Sequence, residues 1–266
     1  MSDIISAPVT AIIGFLAQMV DGTVGMGFGA FSASLLIAAG FYPATASAMI
    51  HVAKIFTGAF NGVAHLRLGN VRRRWLWPLA VPGMLGGATG AYLLASVIPG
   101  RAVRPYVALF LMGLGVLIVY RFRTGRALAL EANGSGLPHR HKIPRPRLAA
   151  LGFLAGFVDA VGGGGWGPVA TPGLIVTGNS EPRKAVGTVN LAEVFVALAI
   201  SVTFILTLGF AAVANPLTAG FLVGGLLAAI PAAWLCTRLP AHILGTLVGL
   251  ALIGLNLRTI LEAIFR

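Results

Sequence analysis

The chain has 266 residues, of which 57% are hydrophobic and only 10% are charged. Its mean hydropathy is +0.90, and its apolar residues lie in runs of about 20, the length that crosses a hydrocarbon layer as a helix. These values exclude a water-soluble globular protein and predict an all-α integral membrane protein. The net charge of +12 does not indicate nucleic-acid binding, because the basic residues cluster in the short gaps between apolar runs, as the positive-inside rule expects.

The apolar runs form four units in each half of the chain. The predicted units are 8–40, 43–66, 76–97 and 102–122 in the first half, then 148–179, 183–210, 213–236 and 241–262 in the second. We therefore divide the chain into a first membrane repeat at 1–122, a basic cytoplasmic linker at 123–147 and a second membrane repeat at 148–266. Since no Lys or Arg precedes His51, we expect no cleavable signal peptide and a mature chain that begins at or near Met1.

An internal repeat relates the two halves. Residues 14–21 return 138 positions later as residues 152–159, and each copy ends on an aspartate followed by glycines inside an apolar run. Each first unit is therefore predicted to be interrupted or re-entrant, followed by three membrane helices. If the interrupted units are hairpins, each half has an odd number of spans and the second half is inverted. If they cross the bilayer, the halves are parallel, and the distribution of Lys and Arg does not separate these alternatives. The basic-free N-terminus favours the hairpins and an inverted repeat.

Polar residues of the second unit in each half lie on one helix face. In the first half this stripe comprises His51, Lys54, Gly58, Asn61 and His65; in the second it comprises Asn190, Glu193, Ala197 and Ser201. Lys54 lies about 16 Å along its helix from Pro43, near the centre of a ~30 Å layer, where an unpaired charge is costly. Two hypotheses follow. Lys54 and Glu193 form a buried ion pair that holds the halves together, or they line the path of a substrate or proton.

The two aspartates and the glycines that follow them form the second candidate constellation. Asp21 and Asp159 each come at the end of a half-helix, where the helix dipole disfavours a carboxylate, so either could exchange protons. Alternatively, each accepts hydrogen bonds from the glycine loop and acts as a clasp. The sequence predicts proton coupling at Asp21, Asp159 and Glu193. It predicts anion binding by His51, Lys54, Asn190 and by the loop glycines Gly25, Gly27, Gly163, Gly164 and Gly165, whose amides can point at an anion.

The motifs resemble those of the TauE/SafE sulfite exporter family, also called the TSUP transporters. The residues that carry the resemblance are Asp21-Gly22-x-x-Gly25-x-Gly27-x-Gly29, Asp159-Ala160-x-Gly162-Gly163-Gly164-Gly165-Trp166-Gly167-Pro168 and Pro182-Arg183-x-x-x-Gly187-Thr188-x-Asn190-x-x-Glu193. The similarity covers nearly the whole chain. It implies a secondary transporter of sulfite, sulfonates or related organosulfur or carboxylate anions in the bacterial cytoplasmic membrane, working by alternating access.

Rival functions are weaker. A passive anion channel would use the same residues and stays open as an alternative. An intramembrane aspartyl protease is disfavoured, because the glycines follow both aspartates and a tyrosine-aspartate pair is absent. We therefore expect no enzyme, and no metal or cofactor: Cys236 stands alone and no zinc-protease motif occurs. With no nucleotide-binding P-loop, the expected driving force is an ion gradient, with protons as first choice. The expected partners are a small anion, protons and membrane lipid; the oligomeric state does not follow from the sequence.

Overall fold

A computed structural model describes residues 6–24, 27–124, 143–178, 182–236 and 241–265. Over these ranges the chain is helical and contains no β-strand, which confirms the predicted all-α class. The helices are α1 Ala7–Val24, α2 Phe28–Ala38, α3 Pro43–Arg67, α4 Arg73–Tyr92, α5 Gly100–Arg123, α6 Arg145–Gly162, α7 Trp166–Gly178, α8 Pro182–Leu208, α9 Phe210–Val213, α10 Pro216–Cys236 and α11 Ala241–Ile264. A π-helical turn at Leu93–Val97 extends α4. The predicted apolar units agree closely with these bounds, and most of the predicted linker lies outside the described residues.

Four helical segments of the described chain are long and apolar enough to cross a membrane. They are Arg73–Val97, Ala102–Tyr120, Lys184–Leu208 and Thr246–Ile264. Helix α3 is as long as these, at 25 residues, but its polar stripe lowers its hydropathy. Its length still corresponds to about 37 Å of helix, so it too can reach across a hydrocarbon core.

Both predicted interruptions are confirmed, and glycines account for them. Helix α6 ends at Gly162 and is followed by Gly163, which has φ +69°, and Gly27, with φ +121°, immediately precedes α2. Residues other than glycine adopt these backbone angles at a cost in free energy, because their Cβ atom clashes with the backbone. The chain can therefore leave one half-helix and begin the next within a few residues at each break.

The most extensive helix contacts within the described residues join the two halves. Helix α1 packs along α10 and α4 packs along α6, while α5 packs on α11 and α3 on α8. The pairing is reciprocal in chain order, because the first helix of each half contacts the third predicted unit of the other half. Helix α1 contacts unit 213–236, and α6 contacts unit 76–97. This pattern is the one expected for two related halves; the internal repeat and its inversion stay predictions.

Glycines allow two of these helix pairs to approach until their backbones touch. A Cβ atom added at Gly152 would meet the carbonyl of Leu79, and one added at Gly86 would meet the carbonyl of Phe153. In the other pair, Gly224 lies against the backbone of Ala11 in the same way. Close approach of this kind maximises van der Waals contact where lipid removes the usual hydrophobic driving force. Gly86 of α4 and Gly224 of α10 thus serve packing within one chain.

Candidate functional site

A cavity of about 430 Å³ lies where the two helix breaks meet α3 and α8. The polar side chains on its wall are Gln18, Lys54, Thr57, Asn61, His65, Thr171, Asn190 and Glu193. On α3 the wall runs from Lys54 towards the C-terminal end of the helix, and on α8 it runs from Glu193 back towards Val186. These are the helix ends next to Arg67 and Lys184. The cavity therefore extends from mid-helix towards the basic side of the protein.

Lys54 lies at the inner end of this cavity between two carboxylates. Its Nζ atom is 2.8 Å from Oδ1 of Asp159 and 2.9 Å from Oε1 of Glu193. Lys54 is only 5% exposed and Asp159 is fully buried, whereas the Glu193 side chain is 18% exposed. A buried ammonium is tolerated when it is paired, and here two carboxylates compensate its charge. The predicted contact between Lys54 and Glu193 is present, and both residues also line the cavity, so the two sequence hypotheses for this pair are compatible.

Asp159 is surrounded by hydrogen-bond donors. Its Oδ1 atom accepts from the backbone N–H groups of Gly165, at 2.8 Å, and Trp166, at 3.1 Å, in addition to Lys54. Those amides stand at the N-terminal end of α7, where the helix dipole favours a negative charge. The sequence placed this carboxylate at the unfavourable C-terminal end of α6. The side chain instead reaches across the break to the favourable start of the next helix, which is the clasp arrangement.

His51 completes the cluster from the side away from the cavity. Its Nδ1 atom is 2.7 Å from the carbonyl oxygen of Ser47, so Nδ1 carries a proton. Its Nε2 atom is 3.0 Å from Oδ2 of Asp159, and an N–H group at this nitrogen donates to the carboxylate. Ser47 in turn donates to the carbonyl of Ala160 at 2.6 Å. The result is a buried polar network that ties α3 to α6.

The structure places most of the predicted site residues together, in two layers. The cavity wall includes Gly27, Lys54, Gly164, Gly165, Asn190 and Glu193. His51 and Asp159 are fully buried behind Lys54, and Gly163 packs against the side chains of Ala33 and Ile50. Gly25 lies outside the described residues, as does the side chain of Asp21, whose backbone belongs to α1.

Gln18 is a wall residue that the sequence interpretation did not single out. Its side chain is buried, and its Oε1 atom has no hydrogen-bond partner within the described part of the chain. A buried carboxamide oxygen without a partner is costly unless water or a ligand supplies a donor. The available signal was a lone amide in the apolar run that precedes Asp21, at the position that Gly156 occupies in the second copy.

Broken helices that meet at a charged, mid-helix cavity in an all-helical chain are typical of membrane transporters. The sequence model of the family "Sulfite exporter TauE/SafE" matches residues 10–259, and the chain belongs to that family. It is 41% identical over 254 residues, 96% of this chain and 82% of the relative, to "Probable membrane transporter protein YtnM" from Bacillus subtilis (strain 168). No solved structure matches the chain. The protein is a multi-pass membrane transporter, as the motifs predict.

Proposed function

We propose that the protein is a secondary transporter of small sulfur-containing anions, driven by a proton gradient and working by alternating access. The observation that carries this proposal is a lysine ammonium at the closed end of a cavity whose wall also carries amides, hydroxyls and glycine backbone. Lys54 has three N–H donors, two of which are committed to carboxylates. A sulfite or sulfonate oxygen is a suitable acceptor for an N–H group of this ammonium, and the family name points to sulfite.

The size and polarity of the cavity support a small polar ligand. A volume of about 430 Å³ lies at the lower end of the range of small-molecule sites. Asn61 and Asn190 supply neutral donors along the wall, and hydrogen-bond donors in a water-poor site bind anions without adding charge. An organic anion with a short apolar part would also find contacts with Phe28 and Pro168.

The one-sided shape of the cavity supports alternating access. From Lys54 towards His65 the α3 residues border the cavity, whereas Ser47, Met49 and Ile50 on the other side of His51 are fully buried. A site reached from one side and sealed on the other is the arrangement expected of one end state of a carrier. By the positive-inside rule, the reachable side is the cytoplasm, because Arg67 and Arg72–Arg74 lie there.

The test is uphill accumulation in proteoliposomes under an imposed pH gradient. Purified protein is reconstituted, and the internal concentration of labelled methanesulfonate and of sulfite is followed after a pH step across the membrane. A proton-coupled carrier concentrates the anion above the external level, while a passive channel lets it equilibrate only. Protein-free liposomes correct for diffusion of neutral acid. Failure of both anions to exceed equilibrium, at either sign of the gradient, contradicts the proposal.

A further inference from the structure

We propose that Glu193 and the transported anion compete for Lys54, and that Glu193 must take up a proton before the anion can bind. Binding then loads one proton and one monovalent anion together. This inference rests on the proposed function and adds to it the identity of the proton acceptor, the proton-to-anion ratio and the direction of coupling. It also assigns different roles to the two carboxylates that flank Lys54.

The two carboxylates differ in how firmly they are held. Asp159 receives donors from Lys54, His51 and two backbone amides, and no part of it is exposed. Glu193 borders the cavity, and its ion-pair partner among the described residues is Lys54. Protonating Asp159 would weaken four interactions at once, since each donor prefers a carboxylate. Protonating Glu193 would weaken one interaction, its contact with Lys54. Asp159 is therefore the fixed counter-ion of Lys54, and Glu193 is the exchangeable one.

The charges around the cavity explain why an anion needs this exchange. Lys54 and His65 share the cavity wall with Glu193, while Asp159 and His51 lie directly behind Lys54. Of the other helices packed against α8, α7 and α9 carry no titratable side chain, and those of α4 (Arg73, Arg74 and Tyr92) lie at its ends, away from the cavity wall. With Glu193 ionised, Lys54 already pairs with two carboxylates, and an anion approaching it meets the Glu193 charge.

A proton on Glu193 removes that repulsion and creates two donors. The carboxylate becomes a carboxylic acid that can donate its O–H, and Lys54 regains an N–H bond to direct at the anion. The added proton and the added monovalent anion cancel in charge, so loading leaves the charge of the cluster unchanged. Since a low-dielectric site penalises net charge, this neutral loading is favoured over binding of the anion alone. The loaded carrier then moves without displacing charge.

Proton uptake on binding is measured by calorimetry. Methanesulfonate is titrated into purified protein in two buffers of different protonation enthalpy, because this anion keeps a single charge over the working pH range. We expect uptake of about one proton per anion bound, and an affinity that falls by about tenfold per pH unit once Glu193 is ionised. In Glu193→Gln, a mimic of the protonated acid, we expect binding without proton uptake and with a flat pH dependence. Glu262→Gln is the matched control, since Glu262 pairs with Arg258 on the surface, and it should behave as wild type.

The outcomes separate the two levels of the proposal. Binding without proton uptake in the wild type overturns the competition, as does proton uptake that persists in Glu193→Gln, and both leave the proposed function standing. The number of protons taken up by the wild type tests the competition even if Glu193→Gln fails to fold. Absence of binding by both methanesulfonate and sulfite overturns the proposed substrate class and this inference together.

Reconstituted protein gives an independent test of neutral loading. We expect methanesulfonate to accumulate in the more alkaline compartment under a pH gradient. A membrane potential imposed with potassium and valinomycin, at equal pH on both sides, should drive no accumulation. Accumulation that follows the potential contradicts the one-to-one ratio, and accumulation in the acidic compartment contradicts the shared direction of proton and anion.

Discussion

The parts of α3 before and after Lys54 differ in what their polar side chains contact. Before it, Ser47 and His51 are fully buried and bonded to α6 at Ala160 and Asp159. After it, Thr57, Asn61 and His65 border the cavity. One helix face, with one spacing of polar residues, thus serves two purposes. Polar periodicity identifies a helix face that avoids lipid, but whether that face meets protein or ligand depends on the neighbouring helix.

From this contrast we expect substitutions on the two sides of Lys54 to have different effects. Changes on the buried side should lower stability, because they leave polar groups without partners in a site that water does not reach. Changes on the cavity side should lower transport at nearly constant stability.

Lys54→Met should have the largest effect, because it leaves two carboxylates next to each other without their shared cation. Breaking a buried charge cluster in this way costs about 3–5 kcal/mol, seen as a lower midpoint of thermal unfolding in detergent. Adding Glu193→Gln should recover part of this loss, since Asp159 keeps His51 and its backbone donors. Transport should stay absent in both variants. Uptake restored in the double mutant would show that Lys54 only holds the halves together.

Gly164→Ala should come next. An added Cβ atom would lie 2.6 Å from the Cα atom of Gly29 and nearer still to the adjoining backbone of Ala30, so α2 and the break of the second half must separate. Overpacking of this kind costs about 1–3 kcal/mol. The matched control is Gly167→Ala, three residues on, where nothing lies within 4 Å of an added Cβ atom. Equal unfolding midpoints for the two variants would show that the breaks do not pack on each other.

Ser47→Ala should cost about 1 kcal/mol, the usual value for one hydrogen bond. The substitution removes the bond of 2.6 Å to the Ala160 carbonyl that ties α3 to α6 and a longer contact of 3.2 Å with Nδ1 of His51. The histidine keeps its shorter bond to the Ser47 backbone. Thr89→Ala removes a similar bond to a backbone carbonyl at an exposed position and should leave the midpoint nearly unchanged. Comparable losses in the two variants would remove the distinction between buried and exposed positions.

Gly167→Leu should leave stability within about 0.5 kcal/mol of wild type and yet abolish uptake. The position borders the cavity and has free space around an added Cβ atom, so a leucine side chain would fill the route without disturbing packing. Gly113→Leu, on α5, has equally free space but lies outside the cavity wall, and it should transport normally. Full uptake by Gly167→Leu would mean that the anion does not pass through this cavity.

The sequence predicted the helices well, because lipid imposes simple rules on length and hydropathy. The break at Gly163 and the partnership of Lys54 with Glu193 followed from glycine chemistry and from the cost of a lone charge. What it left open was which acid reaches which base, since Asp159 meets Lys54 only through packing of helices far apart in the chain. The role of Gln18 on the cavity wall did not follow from the sequence for a different reason: a single amide has no periodicity.

Reciprocal pairing of the halves has a consequence for biogenesis. The lasting partner of α1 is α10, and that of α4 is α6, so the first half is inserted before any of its main partners has been synthesised. Assembly of the inserted halves is then a late step, comparable to dimerisation of two subunits. A chain cut between residues 125 and 142 and produced as two fragments retains all four pairings. Co-produced fragments are therefore expected to reassemble, while either one alone would leave its glycine-lined helix faces against lipid and be degraded.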